Sequence, residues 1–247
     1  MTTSTDISEK VAFLIRHADD NLIMAQRLGE YISRAPDLEQ DIAVANIGLD
    51  HIGVAMHLYD YAAELEGGDA TSDRYAMQRT EREYTNVLLV EQPQPDFGHL
   101  IARSFFFDVY QTLLWGHLAE SDDETLAGIA ERALREATYH LRHSTAWVVR
   151  LGDGTHESHE RMQAAIDAMW RFTGELFDVS DDFGPNMADD HDAFLNAVAD
   201  VFEEATLVIP ADPYQATGGR SGRHSEHLGH MLSEMQWMQR SYPGASW

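Results

Sequence analysis

The stretch "LREATYHLRHSTAW", residues 134–147, holds the residue types of a carboxylate-and-imidazole metal site. Two helical Glu-x-x-His motifs, each placing an acid and an imidazole on one helical face, bind a pair of iron ions when they meet inside a four-helix bundle. Here Glu136 and His140 stand four apart, and the residue three before His140 is Ala137. With about 100° of turn per residue, Leu126, Ala133, Leu134, Ala137, Leu141, Ser144, Val148 and Leu151 share one stripe. His140 lies about 60° from Ala137 and still faces inward, whereas Glu136 lies about 100° away, beside Arg132 and Arg135. The spacing is that of a Glu-x-x-His whose carboxylate is missing.

Three other segments give the same kind of reading. Val44, Ile47, Val54, Leu58, Ala62 and Leu65 line a stripe that holds His51, with Val54 where an acid or imidazole would stand and Asp50 off to one side. Leu14, His17, Met24, Ala25, Leu28 and Ile32 face inward together with Asn21. Phe97, Ile101, Phe105, Thr112 and Trp115 share a face with one carboxylate, Asp108. Asn21 precedes His51 by 30 residues and Asp108 precedes Ala137 by 29, offsets that paired antiparallel helices bring level. Two bridged irons need four inward carboxylates and two imidazoles. The inward set is Asn21, His51, Val54, Asp108, Ala137 and His140, which is a degenerate di-iron set. The expectation is no catalytic residue and no metal in this chain. A residual mononuclear site of Asp108, His51 and His140 stays open as the alternative, and so does ordinary core packing. A buried Asp108 needs pairing, with an inward His or an amide such as Asn21.

The elements that position these residues are helices. Helical patterning runs over about 8–34, up to Pro36, and from Asp37, a cap with Gln40 three residues on, to Gly67-Gly68. A short polar helix at about 72–84 leads into "NVLLVEQPQP", where Val87–Val90 is the one strand candidate. Asp96 caps a helix over about 97–119, and Ser121 with Glu124 predicts a capping box opening another over about 122–151. Further helices fall near 157–178, 188–206 and 225–240, with "VSDDFGPN" and "IPADPYQATGGRSGR" as loops. The fold class is therefore all-α, one domain over residues 1–247, with a four-helix bundle core over about 8–151 and extra C-terminal helices over about 157–240.

Composition excludes several function classes. The chain has 247 residues, no Cys and a formal charge of −25. Such a surface repels nucleic acid and anionic membranes and favours a basic protein partner. No apolar run reaches the roughly 20 residues of a membrane span. The start "MTTSTDISEK" lacks an apolar core of a leader, so a cytoplasmic location is expected. Without Cys there is no disulfide or thiolate site.

Several long blocks carry a resemblance: "AQRLGEYISRAPDLEQDIAVANIGLDHIG", "NVLLVEQP", "EATYHLRHS", "MWRFTGELFD" and "GGRSGRHSEHLGHMLSEMQWMQRSYPGASW". With these, the chain resembles the PaaC family of structural subunits of bacterial ring-1,2-phenylacetyl-CoA epoxidases, over nearly its whole length. The resemblance implies a ferritin-like protein that pairs with a homologous catalytic subunit of the PaaA kind and with other members of the complex. That partner would hold the di-iron centre and the phenylacetyl-CoA, and a separate reductase would draw electrons from NADPH. When isolated, the chain would cover the same surface with a second copy of itself. The competing readings are a metal-dependent oxidase or oxygenase active alone, and an acyl-CoA binding module.

The last reading rests on "TGGRSGRH", whose Arg220 and Arg223 open a helix as a phosphate cradle or, alternatively, lock to carboxylates. His224, His227 and His230 form an H-x-x-H-x-x-H run spread over about 120° of a helix, which favours packing over a shared zinc ion. Phe106, Leu113, Leu114 and Leu118 fall outside the Asp108 stripe, so that helix is expected to be covered on several sides, in part by a partner.

Overall fold

A computed structural model describes residues 4–178 and 183–245. Its long helices are α1 (Ser4–Gly29), α2 (Leu38–Glu66), α5 (Phe97–Leu118) and α6 (Glu124–Gly152). Between them lie the short α3 (Ser72–Met77) and α4 (Leu88–Glu91), and after them α7 (His156–Trp170), α8 (His191–Glu204), α9 (Glu226–Met235) and α10 (Trp237–Ser241). No strand occurs among the described residues, and the Val87–Val90 candidate is instead the lead-in to and body of the α4 turn. No described helix is long and apolar enough to cross a membrane.

Capping chemistry sets the helix limits. The Asp37 carboxylate accepts the Gln40 amide at 2.9 Å, and Gly67, at φ 70°, ends α2 in a conformation that costs glycine little. Asp96 accepts the His99 amide at 2.9 Å to open α5. The capping box at Ser121 does not form. Asp123 is the cap of α6, accepting from the amides of Thr125 and Leu126, while Ser121 accepts the Asp123 amide. A carboxylate two residues later outcompetes the hydroxyl because a charged acceptor binds helix-end amides more strongly.

The first helix also stops earlier than its pattern predicts. The chain leaves α1 at Gly29 and turns through Ser33 at φ 74°, with the Ser33 and Ala35 amides both held by Asp41. Ile32, expected inward, is therefore 48% exposed. The stretch 72–84 divides into α3 and a 3-10 turn at Glu81–Glu83. The helices expected near 157–178 and 188–206 likewise break into α7 and α8 with short 3-10 turns at Gly174–Phe177 and Met187–Asp190. Part of the "VSDDFGPN" loop, residues 179–182, lies outside the described residues.

The hairpins α1–α2 and α5–α6 pack as antiparallel pairs, and α7 and α8 lie against the α5–α6 side. The core is continuous across all of them. α5 is its axis, with every residue from Leu100 to Gln111 buried. Phe106 meets Trp170, Phe194 and Phe202 at ring-centroid distances of 5.7, 6.3 and 6.2 Å. The face of α5 expected to reach a partner is thus enclosed by α7 and α8 of the same chain. Its aromatic side chains gain burial of about 1.5–3 kcal/mol each without any second chain.

Candidate functional site

The inward polar positions of the four long helices do meet. His51 is 3% exposed, Asp108 2% and His140 2%. One potential ligand atom from each lies within 4.8 Å of those of the other two. Among the described residues this is the one such cluster of three His or carboxylate side chains. The two imidazole rings are 5.1 Å apart, and Phe107 lies 5.7 Å from the His51 ring.

Hydrogen bonds outside the cluster fix the protons on both rings. Asn21 Nδ2 donates to the carbonyl of His17 at 2.8 Å, so its Oδ1 is the acceptor that faces His51 Nδ1 at 2.8 Å. Turning the amide over would set its oxygen against that carbonyl. His51 therefore carries its proton on Nδ1 and keeps a lone pair on Nε2, a buried atom with no hydrogen-bond partner. Asp50 accepts from His140 Nε2 at 3.0 Å, which leaves the His140 lone pair on Nδ1. Burial lowers the pKa of both imidazoles, His51 well below its ordinary value, and His140 less because Asp50 opposes the shift.

Asp108 pairs differently from the sequence expectation. Its Oδ2 accepts the Ser144 hydroxyl at 2.7 Å, with no hydrogen bond to an imidazole or to Asn21. Burial in apolar surroundings pushes its pKa well above the usual carboxylate range, and the single hydroxyl only partly offsets this. Ser144 stands one helical turn after His140 on the same stripe, so the sequence did hold the signal.

The remaining positions of the set add no donors. Ala137 and Val54 are buried and apolar. Glu136 turns away to Arg132 at 3.0 Å. Asp108 is thus the only carboxylate within this cluster, and that charge does not suit a bridged pair of irons.

The Gly-rich loop is used from within. Glu175, fully buried, accepts amides of Leu88 at 2.7 Å, Gly218 at 2.7 Å and Arg220 at 3.3 Å. A Cβ at Gly219 would collide with the carbonyl of Asn86. Arg220 pairs with Asp20 at 2.8 Å and donates to the carbonyl of Thr85 at 3.0 Å. The amides and the arginine that a phosphate would need are thus held by this chain's own carboxylates, the locking alternative. Arg223 is exposed beside the loop and lines a surface pocket with Arg82 and Glu226. His224 is bound to Glu91 at 2.8 Å and to the carbonyl of Tyr84 at 2.9 Å, so it does not join His227 and His230 in a triad.

Sequence reasoning missed a surface feature. Leu38, Ile42, Leu49 and Met56 are all exposed along the outer side of α2, Leu49 at 63%. Three of them recur every seven residues, which was the available signal.

The family model described as "Phenylacetic acid catabolic protein" matches residues 1–247. The chain is also 45% identical over 250 residues to one of the subunits of the 1,2-phenylacetyl-CoA epoxidase of Escherichia coli (strain K12), an alignment that covers 98% of this chain and 100% of that protein.

Proposed function

From its membership of the phenylacetic acid catabolic protein family, to which this chain belongs over its whole length, we propose that it is a non-catalytic structural subunit of a phenylacetyl-CoA epoxidase. In this reading it pairs side by side with a homologous catalytic subunit in the cytoplasm. That partner holds the di-iron centre, and NADPH is used by a separate reductase. The observation that carries the reading is the buried cluster of His51, Asp108 and His140, which offers one carboxylate where a two-iron centre needs four. Val54 and Ala137 occupy positions from which acids or imidazoles would have to project.

The exposed apolar side of α2 gives such a protein a reason to need a partner. Leu38, Ile42, Leu49 and Met56 together are an unusual surface for a chain of charge −25. A stable pairing of two bundles buries roughly 2,000 Å² or more, and an isolated chain would cover the same face with its own copy.

Co-expression with the catalytic partner tests the reading. The expected result is one complex that turns over phenylacetyl-CoA, while the pure chain alone holds no pair of irons and oxidises nothing. If the chains migrate separately at micromolar concentration and the partner is equally active alone, the assembly role is wrong. Two irons per pure chain with an oxygen-bridged ferric spectrum would show that the chain is itself an oxygenase.

A further inference from the structure

We infer that His51, Asp108 and His140 form a binding site for a single divalent cation of the zinc class, buried between α2, α5 and α6. The inference goes beyond the assembly role and does not depend on it.

The donor chemistry selects the ion. Two imidazoles and one carboxylate suit zinc and its transition-metal neighbours, whereas magnesium and calcium demand mostly oxygen ligands. The lone pair of His51 on Nε2 has no donor within reach, an unusual state for a buried polar atom. His140 keeps its lone pair on the ring nitrogen that Asp50 does not occupy. Both lone pairs belong to rings whose other N–H is anchored to an oxygen, on Asn21 and on Asp50 respectively. That is the arrangement that fixes a metal-binding imidazole in the ligating tautomer. The Ser144 hydroxyl likewise orients the Asp108 carboxylate.

Charge counts in favour of one ion. A divalent cation meets the negative charge of buried Asp108 directly and that of the part-exposed Asp50 through His140, and these two charges balance it. A second cation would have no counter-charge. One nitrogen or oxygen of each side chain lies within 4.8 Å of those of the other two, and drawing three such atoms onto one ion takes side-chain adjustments on the order of 1 Å. The near-complete burial of all three ligands keeps a substrate-sized molecule from the ion. The ion is therefore structural: it ties α2 to the α5–α6 pair, in addition to their packing.

Cobalt(II) titration of the tag-free, full-length chain tests this, with zinc as competitor. The expected result is a single equivalent of cobalt with the visible bands of tetrahedral coordination, displaced by zinc, and a Tm that rises by several degrees with zinc. Asp108→Asn, which keeps the shape of the side chain, and His51→Gln should each abolish the bands. Asn21→Ala should weaken binding about 10- to 100-fold by releasing the His51 ring. Circular dichroism in chelator establishes that each variant is folded, and any one folded ligand variant suffices. The proposal is overturned if cobalt gives no tetrahedral bands and zinc no Tm shift. It is equally overturned if the bands persist in the ligand variants and vanish instead on replacing His227 and His230.

Discussion

Asn21 of α1 and His51 of α2 face each other across 30 residues of sequence, joined by a 2.8 Å hydrogen bond from the imidazole Nδ1 to the amide oxygen. The amide in turn donates to the His17 carbonyl, so one residue spans its own helix and its neighbour. Removing it leaves a buried N–H without an acceptor. Asn21→Ala is expected to cost about 1–3 kcal/mol in urea unfolding, measured in chelator. An unchanged midpoint would mean that the ring finds another acceptor.

Glu175 anchors the C-terminal segment by accepting amides from Leu88, Gly218 and Arg220. Glu175→Ala leaves these three amide donors without their acceptor. A loss of about 3–5 kcal/mol is expected, with new protease cleavage between residues 209 and 225. Glu175→Gln, which keeps an acceptor oxygen, should lose less. Cleavage at the wild-type rate in both variants would disprove the anchoring role.

His17 governs part of the acid sensitivity. Burial pushes its pKa down from 6.5 to about 4, with Asp20 raising it and Arg220 and Arg16 lowering it. The folded state keeps this ring neutral while the unfolded chain protonates it near its ordinary value. Its contribution is therefore fully present above about pH 6.5 and is lost as the pH falls toward about 4, on the order of 3 kcal/mol across that window. His17→Gln should flatten the fall in urea midpoint between those pH values relative to wild type. Parallel curves would show that other groups account for the loss.

The outer side of α2 separates folding from assembly. Leu49 is 63% exposed, so Leu49→Asp should change the stability of the isolated chain by no more than about 0.5 kcal/mol. The same change, and Met56→Asp one turn-pair further on, should weaken co-purification with the proposed catalytic partner by at least ten-fold. Undiminished association would place the interface on another face.

Much of the fold was legible in the chain itself. Helix periodicity and caps at Asp37, Gly67 and Asp96 are local properties of a few adjacent residues, and the stripes containing Asn21, His51, Asp108 and His140 follow from helical geometry alone. The Asn21–His51 offset also followed, because a short loop between two long helices leaves little freedom of register. What local pattern could not supply was competition between neighbours and contact between distant segments. Ser121 lost the α6 cap to Asp123, and Ile32 left the core because the chain turns at Gly29. Whether the face of α5 around Phe106 met a partner or the chain's own α7 and α8 depended on how the later helices fold back. The same holds for Arg220, whose carboxylate partner Asp20 lies 200 residues away, and for Asp108, which took a hydroxyl rather than an imidazole. A helical wheel tells which way a side chain points. The partner it meets there is decided by packing, since an unpaired polar group in a dry core costs kilocalories and takes whatever partner the assembled helices bring within reach.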